Sequence, residues 1–399
     1  MTFNLVNFNH QRRRRRAKCF SMIWFGFGFN GFGQINYSAR SAKESPSDED
    51  VEVKEVAPVR LSTCCSDGEK RLELVGASWS RTVFLQCAGD SHVCLSGFRS
   101  DPPPQKGHSC FPQSYGCLDA QISESYLTLA FKDRTECWSL DKKDSSPVWM
   151  MKHTPEENTG GRLPLVPGGY VVSAPPFLHE LSPHLCCVSL ALGMEHAVLL
   201  SASGTVYTWG SSSHGQLGHG ELGREVEPRV VEALWGMAMK GVAAGGWHSV
   251  CISGEGDLYT WGWNESGQLG LPSHAKQRET LQGGTAAGTE SDRKEVFISI
   301  QAFPALLDLP EEAEVTRVSC GSRHTAALTC TGDLYTWGWG EYGQLGHKTT
   351  QTLDQPTRVD FFADRGLRVV DVVCGPWNTF VSTEEKDPTT HPDGSHDIP

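Results

Sequence analysis

The chain has 399 residues, which is enough for two ordinary domains or for one large closed β-structure. Hydrophobic residues make up 38% and charged residues 21%, so most of the chain should fold around a core. The formal net charge of −12 argues against broad nucleic-acid binding by the folded body, and we expect no direct sequence-specific nucleic-acid binding either. Since no apolar run is long enough to span a membrane, we expect no membrane insertion.

The first 21 residues contain the basic run QRRRRRAK, which is typical of a disordered extension or a nuclear-localisation signal. Translation from Met22 would remove this extension, so residues 1–21 are either disordered or absent from the working protein. A mitochondrial presequence is the second interpretation of the same run. The acidic remainder of the chain favours basic partners such as histone surfaces.

The next segment, WFGFGFNGFGQI at residues 24–35, contains the glycine spacing of a dinucleotide-binding loop. That interpretation needs an apolar strand before the glycines and a helix after them. Arginines lie upstream instead, and phenylalanines alternate with the glycines. The context therefore argues against a nucleotide site, and the stretch matches part of a repeat found later in the chain.

Residues 41–180 show only weak patterns. The polar stretch near residues 41–55 predicts a disordered loop. GASWSRTVFLQC and ESYLTLAFKDRTECWSL are typical of strands and predict degenerate repeat copies, with Trp79 and Ser125 in the position that later copies give to histidine.

The segment GGRLPLVPGG, residues 160–169, is an apolar run that is interrupted by prolines and bracketed by glycine pairs. Proline disfavours helices and central strands, so an extended backbone with displayed side chains is one interpretation. Arg162, Leu163 and Pro164 are then candidate partner contacts. The alternative is an ordinary connection between repeats.

Three later segments align without gaps, beginning at Gly193, Gly245 and Gly321. Each has a histidine, then a tryptophan thirteen residues later, then Gly-Gln-Leu-Gly. Short β-branched and aromatic runs around a glycine turn predict β-hairpins, and units this small must stack on one another. The repeated residues are His196, His248 and His324 with Trp209, Trp261 and Trp337.

The repeated histidines are predicted to be structural, hydrogen-bonded to backbone in the turn, because catalytic groups rarely occur in symmetric triplicate. The residues just before them vary between copies and lie in loops, so Trp247, Arg323 and Trp377 are candidate partner contacts. The alternative is that the two tryptophans pack between repeats. Residues 272–295 are predicted to form a disordered loop, and residues 384–399 a disordered tail.

The two ends of the sequence complement each other. VVCGPWNTFVS near residue 380 begins like a repeat, with Asn378 in the histidine position, and lacks the Trp-Gly half. FGFNGFGQI near the start supplies that half, with Phe27 in the position of Trp261 and Gly28 in that of Gly262. Pairing of the two ends would close a ring and remove an exposed strand edge.

This pattern resembles the regulator of chromosome condensation repeat family, strongly over residues 187–350 and faintly over 60–180. The resemblance implies an all-β fold, a β-propeller whose ring is closed by strands from both termini. Six repeat positions are detectable and seven blades are expected, with the seventh between Trp138 and Gly193. Residues 22–383 would then form a single propeller.

Motifs such as AAGGWHSVCIS and WGWNESGQL are similar to those of a small branch of the family. That resemblance implies a non-enzymatic, chromatin-associated adaptor in the nucleus, linked to histone H3 lysine-36 methylation, satellite-repeat repression and chromosome segregation in mitosis. The implied partner is a JmjC-domain 2-oxoglutarate oxygenase. Arg162 is then the candidate docking or hydroxylated residue, and histone H3 is a second candidate partner.

Catalytic alternatives have less support in the residues. No nucleophile–base pair or phosphate loop is recognisable, and His214 and His219 lack neighbouring ligands, so we expect no enzyme activity, metal or cofactor. The alternative function is guanine-nucleotide exchange on a Ran-like GTPase, as in the founding family member. Larger members serve ubiquitin ligases, but the chain ends soon after its last repeat, so no ligase domain is expected.

Overall fold

The computed structural model describes residues 22–35, 53–61, 72–86, 91–98, 106–141, 146–154, 162–274 and 296–385. The basic extension at residues 1–21 lies outside these residues, as do most of the two predicted loops and of the predicted tail. No helix within the described ranges has the length and apolarity needed to cross a membrane.

The described residues form seven antiparallel sheets arranged as the blades of a propeller. Strands β1 (Ile23–Phe29) and β2 (Lys54–Arg60) come first in the chain. Blade 2 contains β3 (Leu72–Ala77), β4 (Arg81–Gln86), β5 (His92–Phe98) and β6 (Lys106–Phe111). Blade 3 contains β7 (Asp119–Ile122), β8 (Tyr126–Ala130), β9 (Arg134–Ser139) and β10 (Trp149–Lys152). Blade 4 has three strands, β11 (Leu165–Val166), β12 (Gly169–Val171) and β13 (Leu178–Glu180).

The clear sequence repeats form the next three blades. Blade 5 contains β14 (Cys187–Leu192), β15 (His196–Ser201), β16 (Val206–Ser211) and β17 (Arg224–Val230). Blade 6 contains β18 (Met239–Ala244), β19 (His248–Ser253), β20 (Leu258–Trp263) and β21 (Ile300–Leu307). Blade 7 contains β22 (Val315–Cys320), β23 (His324–Thr329), β24 (Leu334–Gly338) and β25 (Leu353–Arg358). A short helix, α1 (Asp360–Ala363), precedes the last strands, β26 (Leu367–Cys374) and β27 (Asn378–Glu385).

The ring closes as the sequence predicts. Strands β26, β27, β1 and β2 form blade 1, with β1 hydrogen-bonded to β27. Phe27 pairs with Thr379 and Gly28 with Asn378, while Phe27 is fully buried. Gly28 has a φ of 110°, the same value as Gly262. The glycine-rich stretch at residues 24–35 is therefore the third strand of blade 1 together with the turn that follows it.

The seventh blade lies where it was predicted, between Trp138 and Gly193, as the three-stranded blade 4. The first strands of the four-stranded blades contact one another around the ring, so these strands line its axis. Apolar side chains fill the spaces between blades, and Trp261 and Trp337 are fully buried there. Each of these indoles donates a hydrogen bond to a carbonyl in the preceding blade.

Two positions of the sequence alignment were wrong, by two residues in blade 2 and by one residue in blade 3. In blade 2, Arg81 pairs with Gly97 as His196 pairs with Gly210, so Arg81 and not Trp79 occupies the histidine position. In blade 3 the corresponding residue is Tyr126 rather than Ser125. The alignment counted positions from Gly76, whereas the turn that matches the one before His196 begins two residues later. Trp79 therefore belongs to the variable loop.

Candidate protein-binding face

The three repeated histidines connect neighbouring blades. Each is fully buried, and its Nε2 contacts a hydroxyl on the second strand of the next blade. The distances are 2.8 Å from His196 to Ser249, 2.9 Å from His248 to Thr325 and 3.0 Å from His324 to Thr379. The contact is therefore with a side chain across the blade boundary, and not with backbone in the histidine's own turn as the sequence suggested.

Each of these hydroxyls is part of a short series of hydrogen bonds. Thr379 donates to the backbone carbonyl of Gln344 in the preceding blade at 2.8 Å. In the same way Ser249 donates to the carbonyl of Gln216, and Thr325 to that of Gln268. Because a hydroxyl has one proton, the histidine Nε2 must carry a proton and donate it. Burial lowers the pKa of all three imidazoles from 6.5 to about 3, so they are neutral at physiological pH.

The variable loops, which join the first and second strands of the blades, meet at one end of the ring axis. Because the first strands line the axis, their connecting loops are brought close together there. They line a cavity of about 290 Å³. The lining residues are Ser78, Trp79, Ile122, Ser123, Glu124, Met194, Trp247, Ser322, Arg323, Pro376 and Trp377. The structure thus brings together three of the sequence-predicted candidates, Trp247, Arg323 and Trp377.

Aromatic rings surround this cavity. Trp377 lies edge-on to Trp79, with ring centroids 5.8 Å apart, and to Trp339 at 4.8 Å. Tyr342 lies 4.9 Å from Trp339, so the loop after the Trp-Gly pair of blade 7 reaches this face as well. We use the name axial aromatic face for this surface, which comprises Trp79, Trp247, Trp263, Arg323, Trp339, Tyr342 and Trp377.

The aromatic side chains are only partly covered. Trp79 keeps 37% of its surface exposed, and Trp247 and Trp377 are half-buried. Trp247 packs edge-on to Trp263 at 5.5 Å and donates to Glu195 Oε2 at 3.3 Å. These contacts hold the indoles in place, so the face is rigid and apolar as well as accessible.

Arg323 provides the cationic group of this face. Its guanidinium lies 4.5 Å from the centre of the Trp263 ring, in a cation–π contact. Within the described part of the chain it forms no ion pair, and its Nε is buried without a hydrogen-bond partner. Glu124, also at the cavity, is already engaged, because its two carboxylate oxygens accept from the backbone N–H and hydroxyl of Ser80.

Arg162 lies elsewhere. It is exposed, whereas Leu163 is 1% exposed and Pro164 is buried, which corrects the expectation that all three side chains are displayed. The Leu163 N–H donates to Asp119 Oδ2 at 3.1 Å, and this contact ties the segment to the start of β7. The other end of β7 leads into the loop that lines the axial cavity. Arg162 is therefore on the opposite face of the ring.

A second cavity, of about 470 Å³, lies between blades 4 and 5. Tyr170 and Trp209 contribute to its walls, with His179 stacked on Tyr170 at 5.3 Å. Several acidic residues surround it, including Glu180 and Glu227. This cleft was not predicted from the sequence, because the strands of blade 4 are too short to give a recognisable repeat.

Trp263 and Trp339 were not predicted from the sequence either. Both directly follow a Trp-Gly pair, in the motif WGW that recurs in two of the three clear repeats. The remaining repeat, which begins at Gly193, has Ser211 at the equivalent position. This difference between the copies was the signal by which the two tryptophans could have been predicted. An aromatic side chain after the glycine points to a surface role, since the buried ring of the repeat is the first tryptophan.

Comparison with known proteins is consistent with this architecture. Two sequence profiles of the regulator of chromosome condensation (RCC1) repeat match the chain, one at residues 203–252, 255–328 and 331–382. The other matches residues 187–216, 239–268 and 315–344. The chain is 43% identical to RCC1 domain-containing protein 1 of Homo sapiens over 396 residues, which cover 91% of this chain and 97% of that protein. It is 41% identical to the Mus musculus protein of the same name over 395 residues, with the same coverage.

Solved structures show the same fold at low sequence identity. Yeast RCC1 (Prp20) bound to Kap60 matches with a TM-score of 0.68 and 14% identity, covering 96% of this chain and 97% of that one. Prp20p from Saccharomyces cerevisiae matches with a TM-score of 0.66 and 14% identity, and the match covers 97% of this chain and 94% of that one.

Proposed function

Because the chain belongs to the RCC1 repeat family, we propose that it is a non-enzymatic, chromatin-associated adaptor whose propeller binds a JmjC-type 2-oxoglutarate oxygenase. The proposed setting is the nucleus, in histone H3 lysine-36 methylation, repression of satellite repeats and chromosome segregation. The observation that supports the adaptor role is the axial aromatic face, where loops from several blades place partly exposed tryptophans around one cavity.

Tryptophan and arginine are the residues that most often dominate the binding energy of protein interfaces, especially in rigid, central, desolvated pockets. The cavity of about 290 Å³ is large enough for one apolar side chain of a partner. Trp79, Trp247 and Trp377 would cover that side chain. Trp79 packs against Trp377, and Trp247 against Trp263, so their rotamers are restricted before binding and little conformational entropy would be lost when the partner docks.

The charge of Arg323 defines the partner further. A guanidinium without an ion pair in the described structure can donate two parallel hydrogen bonds to a carboxylate of the partner, and the Trp263 ring holds it in position. We therefore expect the oxygenase to present an apolar anchor beside an acidic residue. An Arg323→Glu substitution should repel that acidic group, whereas Arg323→Lys should retain part of the affinity.

Arg162 has a separate role in this proposal. It is exposed on the face opposite the axial cavity, so it is available to enter an oxygenase cleft as a substrate residue. A 2-oxoglutarate oxygenase would insert one atom of O₂ into an aliphatic C–H bond of Arg162. The other oxygen atom would enter succinate as 2-oxoglutarate loses CO₂.

The histone part of the proposal relies on charge. The cleft between blades 4 and 5 combines aromatic walls with Glu180 and Glu227, a combination that suits a basic segment. Prp20p is described as binding Gsp1p and histones, which is a statement about that protein. At 14% identity it supports the shared fold alone, so exchange activity on a Ran-like GTPase is an outcome for experiment to decide.

The test is affinity capture from nuclear extract with the unmodified protein, a Trp377→Ala variant and an Arg162→Ala variant, read by mass spectrometry. We expect a JmjC-domain oxygenase with the unmodified protein and its loss with Trp377→Ala. The Arg162→Ala variant should still capture the oxygenase. Its peptide that contains residue 162 should lack the added oxygen atom that we expect on the same peptide of the unmodified protein. Capture of a Ran-like GTPase without an oxygenase would contradict the proposal and favour the exchange function.

A further inference from the structure

Three potential metal ligands meet in blade 2, away from both cavities. Cys94 on β5 and Cys110 on β6 are directly opposite each other in the strand pairing. Their sulfur atoms are 3.4 Å apart. His92 lies two residues before Cys94 and therefore projects from the same side of the sheet. A ligand atom from each of the three residues lies within 4.8 Å of the other two.

The spacing of these atoms is close to that of a metal site. Two thiolates on one tetrahedral zinc ion are about 3.8 Å apart, given a Zn–S distance of about 2.3 Å. The observed separation of 3.4 Å therefore needs only a small side-chain adjustment. A disulfide requires the sulfurs to approach to about 2.0 Å, which is a larger movement. The cluster is thus nearer to the geometry of a shared ion than to that of a bond between the sulfurs.

The surroundings also distinguish this pair from cysteines that only fill the core. Cys251 lies among apolar residues of the core between blades 5 and 6, and burial alone raises the pKa of its thiol. In the blade 2 cluster, Cys94 is 2% exposed but Cys110 is exposed, and the His92 ring lies 5.2 Å from that of the exposed Tyr115. The cluster is therefore open to solvent on one side. Solvent can supply a fourth ligand there.

We propose that His92, Cys94 and Cys110 form a binding site for a thiophilic divalent cation, with zinc as the expected ion. Two sulfurs and one imidazole are the donor set that favours zinc over magnesium or calcium. Binding would release the thiol protons to solvent, leaving two thiolates and a neutral imidazole on the ion. The site would link β5 to β6 in a blade whose sequence repeat is degenerate.

The test uses the full-length protein, purified under reducing conditions without chelator, with zinc measured per molecule and with Co²⁺ as a spectroscopic probe. We expect one zinc per molecule and a near-ultraviolet thiolate–cobalt absorption band. Cys110→Ser and His92→Gln should abolish stoichiometric zinc, and Cys110→Ser should weaken the cobalt band. The exposed Cys330 lies outside the cluster, so Cys330→Ser is the matched control and should leave both signals unchanged.

Several results would overturn the proposal. One is a folded unmodified protein that holds no stoichiometric zinc when the metal is supplied in excess. Another is zinc binding that Cys110→Ser leaves intact, since the ion would then lie elsewhere. A third is a protein that takes up no cobalt when reduced and forms a Cys94–Cys110 disulfide when exposed to air, since oxygen as the oxidant would then make the pair a redox site. Because Cys110 is exposed, its substitution should leave the fold intact, and the melting curve checks this.

Discussion

The buried histidines should make the propeller unstable in mild acid. His196, His248 and His324 have a pKa of about 3 in the folded protein against 6.5 when exposed. The unfolded protein therefore binds more protons than the folded protein at any pH between these values, and stability falls as the pH falls. The stabilising contribution is complete above about pH 7 and is lost progressively below 6.5.

The size of the effect follows from that difference. Each pKa unit corresponds to about 1.4 kcal/mol, so at about pH 5 each histidine lowers the free energy of unfolding by about 2 kcal/mol. The three together account for about 6 kcal/mol, a large part of the stability of an ordinary domain. Most carboxylates stay ionised in this range, so they contribute little. Other histidines with lowered pKa add to the total loss, namely His179, His214, His219 and His347.

A single substitution isolates one member of the set. Asn378 occupies the equivalent position in blade 1, so His324→Asn places a neutral residue that the fold already accepts elsewhere. We expect the variant to be less stable at neutral pH by about 1–3 kcal/mol, because it loses the contact with Thr379 and leaves some space. Between about pH 7 and pH 5, however, it should lose about 2 kcal/mol less than the unmodified protein.

The assay is urea unfolding followed by tryptophan fluorescence at a series of pH values. The exposed His184 provides the control, since His184→Asn makes the same exchange of residue types at the surface and removes no buried imidazole. If His324→Asn and the unmodified protein lost stability in parallel as the pH fell, the buried imidazole would not be the group that titrates. Burial and the contact with Thr379 would then not be what keeps this histidine neutral.

Further predictions concern the fold. Phe27→Ala should cost about 3–5 kcal/mol, because it leaves a cavity at a fully buried position. Deletion of residues 22–36 should abolish the single cooperative melt, because it removes the strand that closes the ring. Gly262→Ala should cost more than about 1 kcal/mol, because the new Cβ would lie 2.5 Å from the Trp247 carbonyl oxygen at a φ of 110°. Gly223→Ala, in open space, should be nearly neutral. Arg81→Met should cost about 2 kcal/mol by removing a guanidinium that donates to the backbone carbonyls of Phe98 and Glu124.

Thermal and urea melts check all of these variants. A truncated protein that melts as cooperatively as the complete one would contradict the closure argument. Equal melting temperatures of the Gly262→Ala and Gly223→Ala variants would show that the backbone at Gly262 can relax. An unchanged Arg81→Met variant would mean that the carbonyls find other donors.

Much of the architecture is predictable from the sequence because each clear repeat carries the same residue types at the positions that its strands and turns require. A glycine is required where the third strand crosses close to the preceding loop, and a tryptophan is required to fill the space between blades. Those requirements make Phe27 and Gly28 recognisable as the missing half of the last repeat. Blade 4 could be located only by elimination, since its strands have two or three residues.

The site was predictable to a smaller extent. Trp247, Arg323 and Trp377 were identified as loop residues, but only the closed ring shows that they meet around one cavity. The blade 2 alignment failed because Arg81 replaces histidine, and neither residue type nor spacing marks that exchange. The cysteine cluster arises from strand pairing across sixteen residues, a relation that no linear spacing motif expresses.

Direct titration of the purified protein with a purified JmjC-domain oxygenase tests the adaptor function most directly, with Trp377→Ala and Arg162→Ala measured alongside. We predict that Trp377→Ala weakens binding by about 2 kcal/mol or more, equivalent to about thirtyfold in Kd, while Arg162→Ala binds nearly as tightly as the unmodified protein. Equal affinity of the unmodified protein and of a folded Trp377→Ala variant would contradict the assignment of the axial aromatic face. Absence of any binding to the oxygenase would contradict the adaptor function itself.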